Sequence, residues 1–374
     1  MDTARPILPQ IFIVSLSSLA YELTLTRIFS ISLWYHFAFM VISIAMLGIA
    51  ASGTLLSVYP KLKDTRYIHS YILLFCISVP ASYLLMNITP FDPGRLSWDR
   101  VQILYLSLYY IILSFPFFSF GMIISSALSS MTGSAGHIYG ADLTGAGTGS
   151  LVSLWLLSSG GPEQVVFIIS ALPALVLCIY SRKRTRLASC VLLIMNLLVL
   201  YFHPQFVEPR ISPYKPLEAA LRFPGAELLR TYYSPFTRVD ILNSPAVRSA
   251  PGLSFRYLRD LPGQTGISID AGDIYAITDD RDETALDFLG YLPSSLPYEL
   301  SLKKEVLILE PKGGLSVLQA EYYRAGNISK VDSDPLVIRS VREYQKGFAS
   351  DMYKEIPGQA WGEAILPQQR RGST

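Results

Sequence analysis

The chain has 374 residues, of which 51% are hydrophobic and 16% are charged, and its formal net charge at pH 7 is +2. Soluble proteins carry about 25% charged residues, so this composition excludes an ordinary soluble globular protein along the whole chain. The small net charge says nothing about nucleic acid, and no basic patch interleaved with aromatic residues suggests that the protein binds it.

The first 202 residues consist of long apolar runs. A membrane-spanning helix needs about 20 mostly apolar residues, and the runs predict about seven spans, at 7–24, 31–58, 68–88, 101–128, 141–160, 164–181 and 187–202. The first run lacks a cleavage site and predicts a retained helix. We therefore expect a transmembrane helical domain over 1–203, in a multi-pass protein embedded in the lipid bilayer of a bacterial inner (plasma) membrane.

Two loops between these spans are strongly basic. They are "KLKDTR" at 61–66 and "SRKRTR" at 181–186, and four predicted spans separate them. The two loops should therefore lie on the same side, which the positive-inside rule assigns to the cytoplasm. Seven spans would then place the C-terminal half on the other side, which conflicts with a cytosolic cofactor.

Ionisable residues also occur within or beside the predicted spans. These residues are Glu22, Arg27, His36 and Asp142. Such groups are costly at membrane depth and often line a site. The alternative is that Arg27 ends its helix and reaches the interface while Glu22 caps or pairs with it. Gly145 and Gly149 form a GxxxG motif, which favours close packing against a neighbouring helix.

The three cysteines, Cys76, Cys178 and Cys190, lie in apolar runs without CxxC spacing. This pattern predicts small buried side chains, and we expect no metal site.

Beyond the apolar runs the chain changes character. Residues 204–229 are proline-rich and predict a linker. Short runs rich in β-branched and aromatic residues follow, and they predict a small β-region over 230–300, with strands at 237–243, 253–258, 266–272 and 273–279. Residues 283–292 have helical spacing.

The segment 305–332 has the pattern of half a nucleotide-binding unit. A buried-strand run, "EVLILE", leads through Gly313 and Gly314 into a helical stretch that Gly326 ends, and a second strand, "NISKV", leads to Asp332. Glycines before a helix admit a ligand close to the backbone, and an acid after the second strand can bind ribose hydroxyls. We predict a partial α/β Rossmann (methyltransferase-like) domain over 301–374. An ordinary βαβ unit without a ligand is the alternative.

Taken together, the chain resembles the membrane-anchored branch of the spermidine synthase family. The resemblance is carried by "YELTLTRIFS", "YHFAF", "YGADLTGAGTGSL", "SPFTRVDI", "SIDAGDIYAITDDRDE" and the segment just described. It implies aminopropyl transfer from decarboxylated S-adenosylmethionine to a small amine.

The resemblance also implies roles for individual residues. Gly313 and Gly314 would hold S-adenosylmethionine or its decarboxylated form, Asp332 would bind the ribose, and Glu363 would lie near the adenine. The usual loop is richer in glycine and has an acid between its glycines, whereas here Pro311 and Lys312 come first.

After Glu363 a polar tail follows, without the strand that carries the family's catalytic aspartate. This pattern predicts a C-terminally truncated, weakly active or inactive transferase with no assignable catalytic residue. Two other functions remain open: a membrane transporter or scaffold with a degenerate regulatory domain, and an S-adenosylmethionine-dependent methyltransferase. The oligomeric state is left open.

Overall fold

The computed structural model describes residues 7–300 and 305–345, apart from the side chains of Glu283 and Gln345. By its internal contacts the chain divides into two compact units, Met1–Ser212 and Pro213–Thr374. The boundary falls inside the interval 204–229 predicted as a linker. Each unit is described by itself.

The first unit is helical. Its helices are α1 (Leu8–Ser32), α2 (Tyr35–Ala38), α3 (Met40–Val58), α4 (Ile68–Ile88), α5 (Val101–Ser130), α6 (Ala135–Ser159), α7 (Pro162–Tyr180) and α8 (Lys183–Phe202). In the described part of the chain, six helical segments are long and apolar enough to cross a membrane: α1, α2 with α3, α4 with the turn before it, α5, α7 and α8.

Helix α6 corresponds to the remaining predicted span. It coincides with the predicted span 141–160 and has 25 residues, which is roughly 37 Å at 1.5 Å per residue. It is not among the helices apolar enough to span a membrane, because glycines, threonines and Asp142 lower its hydropathy. The sequence therefore identified a helix of spanning length correctly and overestimated its apolar character.

Close contacts at glycine hold α6 against α1. A Cβ atom at Gly145 would overlap the carbonyl oxygen of Phe12, and one at Gly149 would overlap that of Leu16. Gly147, between them, has no neighbouring atom within 4 Å of such a Cβ. The predicted packing role of the GxxxG motif is therefore what the structure shows.

Three buried hydrogen bonds between polar groups link the helices. The Tyr21 and Ser82 hydroxyls are 2.7 Å apart, which links α1 to α4. Asn196 of α8 donates to the Ser170 hydroxyl of α7 at 3.0 Å, and Ser170 donates to the Cys76 carbonyl of α4 at 2.7 Å. These bonds satisfy polar groups that would be costly to leave unpaired in an apolar interior.

The ends of the helices show how the chain crosses this unit. Arg66 and Arg182, one from each basic loop, line the same cavity. At the other end, the Tyr83 hydroxyl donates to the Val207 carbonyl at 2.5 Å, and the backbone N–H of Ser212 donates to the Ser32 carbonyl at 2.8 Å. Helices α4 to α7 therefore run from end to end. The chain leaves this unit at the end opposite the basic loops.

The second unit combines an antiparallel sheet with a βαβ unit. Its elements are α9 (Pro216–Leu221), β1 (Glu227–Tyr233), β2 (Arg238–Asn243), β3 (Gln264–Ile269), β4 (Ile274–Thr278), α10 (Leu296–Leu300), β5 (Glu305–Leu309), α11 (Leu315–Tyr322), β6 (Asn327–Val331) and α12 (Pro335–Gln345). Strands β1 to β4 pair in chain order, each antiparallel to the next, and β5 pairs with β6 in parallel.

Three of the four strands expected in the β-region are present, as β2, β3 and β4. The strand expected at 253–258 is wrong, because this stretch forms turns in which Phe255 and Leu258 are almost fully exposed. Aromatic content between turn residues indicated a strand there, but Tyr257 is buried in the apolar cluster without pairing with any strand. The first strand, β1, begins at Glu227, inside the interval predicted as a linker. The helical spacing at 283–292 corresponds to a 3-10 helix, Glu283–Tyr291.

The βαβ unit formed by β5, α11 and β6 lies where the sequence predicted it. Helix α11 ends at Tyr322, before the predicted end at Gly326, and Arg324 takes the left-handed conformation (φ 52°). Val317 and Leu318 of α11 are buried in one apolar cluster with Ile241, Ile267 and Val341. In the described part of the chain the parallel sheet has two strands, β5 and β6, which is less than the predicted Rossmann-like domain requires.

Candidate functional site

Two acidic side chains follow the ends of the two parallel strands. Glu310 comes directly after β5 and Asp332 directly after β6, and the last residues of these strands, Leu309 and Val331, are paired. Carboxyl ends of adjacent parallel strands are where open α/β sheets bind ligands. We call this region, Glu310 to Gly314 together with Asp332 to Asp334, the strand-end edge.

Hydrogen bonds join the two sides of this edge. The Asp332 carboxylate accepts the backbone N–H of Asp334 at 3.0 Å and that of Lys312 at 3.4 Å. The Glu310 carboxylate accepts the N–H of Ser333 at 3.1 Å. Each acid therefore accepts a hydrogen bond from the loop that follows the other strand. Both acids fix the conformation of the strand-end edge and also give it negative charge.

Asp332 is the buried acid of the edge, with 4% of its surface exposed. Burial raises the pKa of its carboxyl group, and the negative charges of Glu310 and Asp334 act in the same direction, against the two N–H groups that it accepts. A carboxyl group in this setting takes up its proton at a higher pH than an exposed aspartate does.

The loop between β5 and α11 has a strained backbone. Glu310, Lys312 and Gly314 have φ angles of 53°, 49° and 88°, in the left-handed region. Glycine tolerates this region, whereas other residues pay roughly 1–2 kcal/mol there. Strain of this kind concentrates at functional sites, and here it places the start of α11 beside Asp332.

At position 313, close packing against the antiparallel sheet requires glycine. A Cβ atom at this position would overlap the backbone carbonyl oxygen of Ala276 in β4. The space of its missing side chain is therefore filled by the antiparallel sheet. Of the two glycines predicted to hold a cofactor, Gly313 allows this close packing and Gly314 gives α11 its left-handed N-cap.

Lys312 contacts Tyr275 of β4. The Lys312 ammonium donates to the Tyr275 hydroxyl at 2.9 Å and lies 4.5 Å from the centre of its ring. Burial lowers the pKa of Lys312, but the Tyr275 hydroxyl and the carboxylates of Glu310 and Asp332 outweigh it, so the pKa is raised. Sequence reasoning missed this pair, although Lys312 stood out as a departure from the usual glycine loop.

Thr237 ties the antiparallel sheet to the same edge. Its hydroxyl donates to the Asp334 carboxylate, and Asp334 also accepts the N–H of Leu336 at 2.8 Å, at the start of α12. Thr237 belongs to the stretch "SPFTRVDI", but its contact with a residue 97 positions later had no signal in the sequence.

The ionisable residues predicted within the spans lie on α1, α2 and α6. Asp142 accepts a hydrogen bond of 2.6 Å from the Ser15 hydroxyl, across the α1–α6 contact. Glu22 and Arg27 are half-buried on α1, five residues apart, and His36 is exposed on α2 beside the rings of its chain neighbours. Asp142 therefore acts in helix packing, as the glycines of α6 do.

Glu363 lies outside the described residues. Within the described residues, no group of three or more histidine, cysteine, aspartate or glutamate side chains is arranged to hold a metal ion.

Comparisons of the chain with known proteins found no match. No protein-family model matches the chain, and neither the curated proteins nor the solved structures contain a match.

Proposed function

We propose that this chain is a multi-pass membrane protein of the spermidine synthase-like class, whose second unit binds an adenosyl sulfonium compound at the strand-end edge. S-adenosylmethionine and its decarboxylated form are the compounds meant. The observation that carries the proposal is the buried carboxylate of Asp332 at the end of β6, beside the loop that starts α11.

The acids of the edge fit such a ligand. Ribose hydroxyls are hydrogen-bond donors, and a carboxylate after the second strand of a βαβ unit is placed to accept them. Sulfonium and ammonium groups are cationic, and Glu310, Asp332 and Asp334 give the edge a surplus of negative charge over Lys312. The left-handed loop brings the backbone N–H groups of the α11 N-terminus to the same place.

The glycine loop contributes less than the resemblance implies. Because Ala276 fills the space beside Gly313, we assign ligand contact to the Gly314 side of the loop and to Asp332.

The reaction implied by the resemblance is aminopropyl transfer. The amine nitrogen would attack the carbon next to sulfur, the carbon–sulfur bond would break with its electrons leaving on the thioether, and a base would take the amine proton. At the edge Asp334 is bound to Thr237 and Leu336. No residue here is assigned the role of the base, so the proposal is one of binding.

Calorimetric titration of S-adenosylmethionine into the detergent-solubilised full chain tests this proposal. Asp332→Asn keeps the side-chain shape and removes the charge, and we expect its affinity to fall by about tenfold or more, the value of a charged hydrogen bond. Asp260→Asn, at an exposed position of the same unit, should bind like the unaltered chain. Equal affinities for the unaltered chain and Asp332→Asn, or no binding by either, would refute the proposal.

A further inference from the structure

The helical unit contains a second candidate site, unrelated to the strand-end edge. A cavity of about 420 Å³ opens where the two basic loops meet. Its volume is within the range of about 300–1,000 Å³ typical of ligand pockets. We call it the basic-end cavity.

Cationic side chains from both basic loops line the cavity. Arg66 comes from the loop before α4 and Arg182 from the loop before α8, and the ring of His69, in the first turn of α4, also lines the cavity. Among the described residues, no aspartate or glutamate lines the cavity. The site thus brings two arginines, one from each basic loop, to one concave space.

The guanidinium groups have free capacity to bind an anion. Arg66 uses its Nε atom in an ion pair of 3.3 Å with Asp64, and its guanidinium carbon lies 4.7 Å from the centre of the Tyr67 ring. Its terminal nitrogens make no hydrogen bond within the part of the chain that the structure describes. The Arg182 side chain makes no hydrogen bond or ion pair with any described residue. Arginine binds phosphate oxygens through two parallel N–H groups, so this pair suits a phosphate group.

Neutral donors complete the polar wall. The hydroxyl residues Thr65, Ser70 and Thr185 line the cavity. Thr185 lies in the first turn of α8, whose 20 residues point their positive dipole end towards this loop. Hydroxyl groups and a helix N-terminus add hydrogen bonds and a partial positive charge, which also favour an anion.

The remaining wall is apolar. Ile7, Ile68, Met131 and Tyr180 line it, at the ends of helices α1, α4, α5 and α7. A phosphate group attached to an apolar body would contact both walls, and basic pockets between helices at the cytoplasmic face are known to hold anionic lipid headgroups.

We propose that the basic-end cavity binds a phosphate group through Arg66 and Arg182. The group is carried either by an anionic phospholipid of the surrounding bilayer or by a soluble phosphate compound. Binding at this position would fix the two basic loops against each other and hold α4 and α8 at one level in the membrane.

Native mass spectrometry of the purified full chain with matched lipids tests the first source. The chain is incubated with phosphatidylglycerol and phosphatidylcholine that have the same acyl chains. We expect phosphatidylglycerol to be retained preferentially, and Arg66→Gln with Arg182→Gln to reduce that retention by about tenfold or more.

A matched control separates the cavity from general basicity. Lys61→Gln with Arg184→Gln removes the same charge from the same two loops, at exposed positions that do not line the cavity. This variant should retain the preference. Arg182→Lys keeps the charge without the paired N–H geometry and should weaken retention less than Arg182→Gln.

Equilibrium dialysis with radiolabelled inorganic phosphate tests the second source. Phosphate binding that the Arg66/Arg182 variant loses, without a preference for phosphatidylglycerol, would assign the site to a soluble compound. The proposal is overturned if the unaltered chain neither prefers phosphatidylglycerol nor binds phosphate. It is also overturned if the control variant loses binding to the same extent.

Discussion

At the scale of single residues, Asp332 combines two roles. It stabilises the strand-end edge by accepting two backbone N–H groups, and it is the acid on which ligand binding is proposed to depend. The two roles are separable, because an asparagine can still accept one of these N–H groups but cannot ionise.

The raised pKa of Asp332 gives a pH-dependent prediction. Because the carboxyl group is more readily protonated in the folded than in the unfolded chain, it contributes stability that is present below its unfolded pKa. That contribution is lost as the pH rises through its folded pKa. We therefore expect the free energy of unfolding of the second unit to decline over this range, and the decline to be smaller in Asp332→Asn.

The free energy of unfolding is measured by urea unfolding, followed by tyrosine fluorescence, at a series of pH values above about 4. Asp279→Asn is the control, because Arg281 lowers the pKa of Asp279 by a hydrogen bond. The stability that Asp279 contributes is lost only as the pH falls below that range. A pH dependence unchanged by Asp332→Asn would contradict the assignment.

Residues of the strand-end edge could be predicted from the sequence when the residues they contact lie close by in the chain. Gly314 and Asp332 follow from strand and helix patterns close by in the chain. Tyr275 and Thr237 reach the edge from another sheet, 37 and 97 positions away from their partners Lys312 and Asp334. Contacts between segments far apart in the chain leave no periodic pattern in the sequence. These two contacts could therefore be identified only from the structure.

At the scale of elements, the contact between α1 and α6 depends on two of the glycines of α6. Gly145→Val and Gly149→Val should each push the helices apart, since the added atoms would overlap the backbone carbonyls of Phe12 and Leu16. Overpacking of this kind costs about 1–3 kcal/mol. We expect a lower thermal unfolding midpoint for the detergent-solubilised protein.

Gly147→Val is the matched control on the same helix, because it meets no atom within 4 Å. Equal losses for the substitutions at 145, 147 and 149 would show that helix propensity, and not packing, sets the effect.

The helices were more predictable than the strands for a physical reason. A membrane-length helix satisfies its own backbone hydrogen bonds, so an apolar run of sufficient length almost specifies it. A strand needs a partner, and the run at 253–258 has none. Helix α6 shows the limit of the apolar criterion, since its glycines serve packing against α1 at the expense of hydropathy.

At the scale of the whole molecule, sidedness follows from the basic loops. Both lie at one end of the helical unit, and the chain leaves that unit at the other end. The positive-inside rule places the basic end in the cytoplasm.

Cysteine labelling tests on which side of the membrane the two basic loops lie. In a chain whose Cys76, Cys178 and Cys190 are replaced by serine, Lys61→Cys and Arg184→Cys should react with an impermeant maleimide only from the cytoplasmic face. Ser97→Cys, in the exposed loop before α5, should react only from the opposite face. Labelling of positions 61 and 184 from different faces would contradict the end-to-end course of α4 to α7.

Hydrogen–deuterium exchange with and without S-adenosylmethionine tests the proposed function most directly, because it locates a bound ligand along the chain. We expect slower exchange on adding the ligand in peptides covering 310–318 and 331–336, and unchanged exchange in the helical unit. The slowing should be absent in Asp332→Asn and present in Asp260→Asn. Unchanged exchange at the strand-end edge, or slowing confined to other segments, would contradict the proposal that this edge binds an adenosyl compound.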